Sequence, residues 1–168
     1  MNTKNTLRTA ALAMAVGFGS GGCMDYEHTE DAVPMTVEVD DWRDEVIYQV
    51  LIDRFDNGDR GNDYNVRLRD LARYQGGDWR GLENRLEYLQ ELGVTSLWIS
   101  PVIKSVDTDA DVDGYHGYWA QDFTELNPHF GDLVALSRLV DAAHERDIKI
   151  IIDIVANLGN PLGGFRKD

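Results

Sequence analysis

The chain has one cysteine, Cys23, and 16 lysine and arginine residues against 30 aspartate and glutamate. A lone cysteine excludes an internal disulfide, so in an exported protein it must serve another purpose. The formal charge of −14 speaks against nucleic-acid binding, which needs a basic face to neutralise phosphates. It excludes little else, because a neutral ligand needs no charged surface. None of the 4 histidines stands at zinc-ligand spacing from another. The apolar run Ala10 to Phe18 is shorter than the ~20 residues of a membrane-spanning helix. Internal repeats and low-complexity tracts are absent. With 168 residues, 43% of them hydrophobic, the chain has room for one globular domain and is too apolar to be disordered.

The N-terminus is set apart from the fold. Lys4 and Arg8 precede the apolar run, and small residues, Ser20-Gly21-Gly22, lead into Cys23. That is the layout of a secretory signal. The small-small-Cys ending resembles a bacterial lipoprotein cleavage site, at which the cysteine is lipidated and becomes the mature N-terminus. Such sites usually carry leucine three residues before the cysteine, where this chain has Ser20. A plainly cleaved signal and a secreted product is the alternative. Removing Lys4 and Arg8 leaves 14 basic against 30 acidic residues, or −16. The expected organisation is a lipoprotein-type signal peptide over 1–22, an acidic tether over 23–45 and a folded part over 46–168.

From Val46 the pattern alternates between strand and helix. Val46 to Ile52 is nearly all apolar and β-branched, as expected of a strand buried on both faces. Leu82, Leu86, Leu89 and Leu92 recur at helical spacing on one face, and Gly93 follows as a left-handed cap. Thr95 to Ile99 reads as a second strand, closed by Pro101. A long connection, 102–130, carries aspartates, glycines and aromatics, and its run Asp107, Asp109, Asp111, Asp113 reads as a solvated face. Asp132 caps a helix bearing Leu133, Leu136, Leu139, Val140 and Ala143, with Arg146 and Lys149 near its C-terminal end. Ile148 to Val155 is the most apolar strand. This alternation implies a parallel α/β sheet with right-handed crossovers, either doubly wound or a (β/α)8 barrel. No Gly-rich phosphate loop follows the first strand, so a dinucleotide fold has no support. A barrel takes about 250 residues, so the folded part would hold about three of its β/α units.

Four stretches, VIYQVLIDRFDNGDRGND (46–63), YQGGDWRGLENRLEYLQELGVTSLWISP (74–101), DGYHGYWAQDFTELNPHFGD (113–132) and HERDIKIIIDIVANLGNP (144–161), resemble the α-amylase superfamily of glycoside hydrolases. Its cyclodextrin glucanotransferase and maltogenic amylase branch is the most similar. The resemblance implies the N-terminal portion of a (β/α)8 TIM barrel acting on α-1,4-glucans such as starch and maltodextrin.

On spacing alone, Asn57, Asp59, Asn62 and Asp63 form a solvated turn broken by Gly58 and Gly61, with Asp78 capping the next helix. Hard oxygen donors on a flexible loop also suit Ca²⁺. The resemblance implies a structural calcium on Asn57, Asp59, Asn62, Asp63, the carbonyl of Gly76 and Asp78. It places Tyr118 against the glucosyl unit at the cleavage point, with His116 beside it and Trp119 next in the aromatic segment. It also makes Asp153 a structural support of the catalytic centre and Asn157 a ligand of a second calcium. In the family's Asp-x-x-x-Asn-His segment this chain has Leu158 in place of histidine, which puts full amylase activity in doubt.

Retaining glycosidases use a carboxylate nucleophile and a carboxylic acid. The resemblance puts the family's catalytic Asp, Glu and Asp after later strands, so no residue here is read as catalytic and the chain is expected to be inactive by itself. The alternative function is a non-catalytic, calcium-stabilised, surface glucan-binding or vestigial protein.

Overall fold

The structure is a computed structural model that describes residue 39 and residues 41–157; Cys23 and Leu158 lie outside them. A 3-10 turn, Trp42–Asp44, leads into β1 (Ile47–Val50) and the single-turn α1 (Ile52–Phe55). Then follow α2 (Trp79–Asn84), α3 (Leu86–Glu91) and β2 (Ser96–Ile99). Three short strands, β3 (Ile103–Ser105), β4 (Thr108–Asp109) and β5 (Val112–Asp113), and the longer β6 (Ala120–Leu126) come next. The described part ends with α4 (Leu133–His144) and β7 (Lys149–Ile152).

The expected alternation produces a parallel sheet in the order β1-β2-β7. Ile47 lies opposite Ser96 and Val50 opposite Ile99, while Ser96 lies opposite Lys149 and Ile99 opposite Ile152. Helices cover one face. Leu82, Leu86 and Leu89 from α2 and α3, and Leu136, Leu139 and Ala143 from α4, join Leu97 and Ile99 in the core. Each such leucine stabilises the fold by roughly 1.5–3 kcal/mol relative to exposure.

Several expectations are corrected. The first strand is not buried on both faces: Ile47 is 46% exposed, and on the neighbouring strands Trp98 and Ile152 are 39% and 44% exposed. The first strand is shorter than Val46–Ile52, because Ile52 already opens α1 and donates its N–H to the Ser100 hydroxyl. The third is Lys149–Ile152, not Ile148–Val155. The single leucine helix is two segments broken at Arg85, whose N–H reaches back three residues to the Leu82 carbonyl. Its guanidinium is tied to Asp56 at 2.7 Å. Leu92 leaves the buried stripe because it is the C-cap: Val94 and Gly93 donate to the Leu89 and Gln90 carbonyls, with Gly93 at φ +86°. That is a Schellman ending.

The cap at Asp132 stands as expected, accepting from Ala135 N at 2.8 Å, and Arg146 donates to the Ala142 carbonyl at the far end of α4. Leu133, however, faces solvent. The largest departure is the 102–130 connection, which holds two small antiparallel pairs, β3 with β6 and β4 with β5. The β3–β6 register shifts on both sides of Lys104, so no period of two marks these strands. Among the described residues no helix is long and apolar enough to cross a membrane.

Candidate functional site

The loops at the C-terminal ends of β1, β2 and β7 converge. Asp153, just past β7, donates its N–H to the Ile99 carbonyl of β2. Its carboxylate accepts from the Tyr118 hydroxyl at 2.6 Å, which joins the loop after β7 to the segment between β5 and β6. This bond, with burial and the carboxylate's charge, pushes the Tyr118 phenol up to about 12. Gly117 is required at its place: its φ is +82°, and a Cβ there would lie 2.6 Å from the Pro101 carbonyl oxygen, so only glycine fits.

His116 accepts the Tyr118 N–H on Nδ1 at 3.0 Å, so the neutral ring carries its proton on Nε2. Burial, and then the charge of Arg54, holds its pKa below the usual histidine value. The neutral form therefore offers one N–H donor. Its ring stacks near Tyr118 at 5.7 Å and meets Trp119 edge-on at 4.8 Å. The three expected wall residues thus form one half-buried aromatic cluster.

Residues that sequence reasoning missed adjoin this cluster through Tyr115, whose ring meets His116 edge-on at 5.3 Å. Arg54 lies 3.8 Å over the Tyr115 ring, donates to the carbonyls of Leu71 and Arg73 and pairs with Asp53 at 3.1 Å. Asp53 is buried and takes N–H donors from Gln75 and Gly76. Burial nevertheless dominates and raises its carboxyl to about 6, against the lowering by those donors and by Arg54. The signal available was a charged pair, Asp53-Arg54, ending an apolar run.

Asp113 corrects the expectation of a solvated acidic face. It is 2% exposed and accepts from the Thr108 hydroxyl, the Tyr74 N–H and Arg73. Burial opposes its ionisation, but these donors win and its pKa is lowered. Asp107 lies 3.4 Å from Nε2 of His129, a buried ring stacked between Tyr64 and Tyr74 at 3.8 and 3.5 Å. Nothing in the spacing of Tyr64, Tyr74 and His129 marks that stack.

The candidate cation loop is gathered in part. Asn57 Nδ2 donates to Asp63 Oδ1 at 2.7 Å, and a Cβ on Gly76 would meet both side chains within 2.7 Å, so these three residues adjoin. Asn62 Oδ1 is buried without a hydrogen-bond partner. Asp59 accepts from Gly61 N at 2.8 Å and lies 3.9 Å from Arg80. Asp78 is buried; it caps α2 through Gly81 N at 2.6 Å and also takes the N–H groups of Gly58 and Asp59. Asn157 stands in an exposed turn beyond β7. Among the described residues no three His, Cys, Asp or Glu side chains converge as a metal-holding group.

The family described as "Alpha amylase, catalytic domain" matches residues 49–160. An uncharacterized glycosyl hydrolase of Schizosaccharomyces pombe is 45% identical over 120 residues, 70% of this chain and 24% of that protein. A cyclomaltodextrin glucanotransferase of Geobacillus stearothermophilus is 43% identical over 128 residues, 70% of this chain and 18% of its own length. Among solved structures, an alpha-amylase from Geobacillus thermoleovorans complexed with acarbose superposes with a TM-score of 0.61 at 42% identity, covering 71% of this chain and 25% of that one. The chain therefore spans between about a fifth and a quarter of the relatives it matches. On the extent of the match and the identity, this chain belongs to the alpha-amylase catalytic domain family.

Proposed function

We propose that this chain supplies part of the substrate wall of an α-glucan-active glycoside hydrolase or glucanotransferase, as the first three or so β/α units of a (β/α)8 barrel. The observation that carries the reading is the Tyr118–Asp153 bond, which fixes an aromatic ring where the loops after β2 and β7 meet. Active sites of such barrels are built at the C-terminal ends of the strands. Tyr118 presents a flat face to a glucosyl ring, and His116 donates from Nε2 to a sugar hydroxyl. Trp119 backs the histidine, and Asp153 positions Tyr118. The glucanotransferase name and the acarbose complex of two similar proteins support an α-1,4-glucan as partner. No residue of the chain is assigned as nucleophile or general acid, the pair such retaining chemistry needs.

The same reading gives Ca²⁺ a structural role in the loop of Asn57, Asp59, Asn62 and Asp63, with Gly76 and Asp78, and gives Asn157 to a second ion. The unpartnered Asn62 oxygen and the adjoining Asn57, Asp63 and Gly76 fit a hard cation with oxygen ligands. Asp78 already accepts backbone N–H groups, so its part is to hold the loop as well as to offer an oxygen. The leader and Cys23 support export and anchoring in the cell envelope by a lipid, with secretion as the alternative. Titration of the full chain with maltoheptaose tests the central claim: binding is expected, and Tyr118→Ala should weaken it about tenfold or more, the loss of roughly 1.4 kcal/mol of contact. Equal affinity for both proteins would overturn the wall assignment.

A further inference from the structure

Asn57-Gly58 is the one asparagine–glycine pair in the sequence, and the structure gives it an unusual setting. Glycine lacks a Cβ, so its backbone nitrogen attacks the preceding side-chain carbonyl with least hindrance. Asn57 is exposed. The Gly58 N–H, however, is shared between both carboxylate oxygens of Asp78, at 3.2 Å each. Asp78 is itself fixed by the N–H groups of Gly81 and Asp59. The Gly58 backbone is pressed against the start of α2, where a Cβ would lie 2.3 Å from Gly81 N. The amide that would leave is also held, by Asp63 at 2.7 Å.

We propose that Asn57 is a site of spontaneous deamidation gated by Asp78. When the loop opens, Gly58 N gives up its proton to solvent base and bonds to Cγ of Asn57. The Cγ–Nδ2 bond then breaks, and ammonia leaves carrying a proton from water. Water opens the resulting succinimide at either carbonyl, giving aspartate or isoaspartate, with no oxidant or reductant involved. The folded loop withholds both the attacking nitrogen and the leaving amide, so the reaction records how often it opens. The product is irreversible in its effect: a carboxylate replaces the amide that now donates to Asp63, and an attraction becomes a repulsion.

The test ages the full chain in mildly alkaline buffer, folded and in urea, and maps peptides for the gain of one mass unit and for isoaspartate at position 57. The folded chain should react about tenfold or more slowly than the unfolded one, the protection of a modest local opening equilibrium. Asp78→Ala should bring the folded rate toward that in urea. Because this variant also loses the α2 cap, Asp78→Asn supplies a graded arm: it keeps an acceptor oxygen and should react at an intermediate rate. Equal rates folded and unfolded would overturn the proposal, as would aspartate without isoaspartate, which bypasses the succinimide. Millimolar CaCl2 should slow the folded chain further; if it does not, the calcium reading fails while the gating by Asp78 stands on the urea comparison.

Discussion

Two regions of this protein are held together by different chemistry. The sheet β1-β2-β7 and its helices rest on aliphatic burial, with Leu82, Leu86, Leu89, Leu97, Ile99 and Leu139 all removed from solvent. The loops above the strand ends rest instead on three buried carboxylates. Asp53 ties down Gln75 and Gly76, Asp78 ties down Gly58, Asp59 and Gly81, and Asp113 ties down Tyr74, Arg73 and Thr108. An aliphatic core needs only volume and apolar surface, and it tolerates approximate partners. A buried carboxylate needs each N–H in place, because an unpaired charge away from water is costly. The loops therefore gain fixed geometry, and they depend on single residues to keep it.

Truncation in the first region should have the larger effect. Leu97→Ala empties part of the layer between sheet and helices and should cost about 2–5 kcal/mol. Urea unfolding followed by circular dichroism should show a lower midpoint in one cooperative step. Loss of the loop contacts alone, with the sheet intact, would contradict a core centred on Leu97.

Asp113→Ala should cost somewhat less, about 1–3 kcal/mol, since it leaves the Tyr74 N–H and the Arg73 guanidinium without their acceptor. The damage should also be local. Amide hydrogen exchange should quicken at Tyr74 and across β3 to β6, while the amides of β1, β2 and β7 keep their protection. Uniform loss of protection would mean that the two regions are one cooperative unit.

What could be read from the sequence divides along the same line. The leucine spacing of 82, 86 and 89, the Asp132 cap and the Gly93 ending were legible because each is a local pattern with a local cause. The aromatic segment around Tyr118 and the aspartate at 153 were found through resemblance, and the structure joins those two by a bond that no spacing specifies. Asp113 reads as a surface charge because composition cannot show that Arg73, forty residues earlier in the chain, reaches it. Strands β3 to β6 escape for a related reason: β3, β4 and β5 are only two or three residues long, and the register shifts between β3 and the longer β6 destroy the alternation that would mark that pair. Arg54 escaped because its partners, Tyr115 and the Leu71 and Arg73 carbonyls, come together only in three dimensions.

The two regions should also respond oppositely to acid, though more weakly than to either truncation. At the start of the sheet, Glu45 accepts from the hydroxyls of Thr95 and Ser96 and lies 2.9 Å from Lys149. Those hydrogen bonds, Thr95 first, lower its pKa from 4.5 to about 2. The unfolded chain thus takes up this proton at a higher pH than the folded chain does. Its contribution to stability is complete above about pH 4.5 and is lost as pH falls toward 2. Asp53 runs the other way. Burial raises its folded pKa from 3.8 to about 6, so between those values the folded chain binds the proton that the unfolded chain has released. Stability from this group is complete below about pH 3.8 and declines as pH rises through 6. Urea midpoints measured from pH 3 to 7 should therefore separate the two. Glu45→Gln should flatten the fall on the acid side, and Asp53→Asn should flatten the decline between about 4 and 6 while leaving the acid side unchanged. Because the decline comes from the cost of a buried charge, against which the Gln75 and Gly76 N–H groups work, it should not appear as lost protection in β2. If Asp53→Asn instead changed the acid limb, or if β2 lost protection with it, the loop and sheet would share one titrating support rather than two.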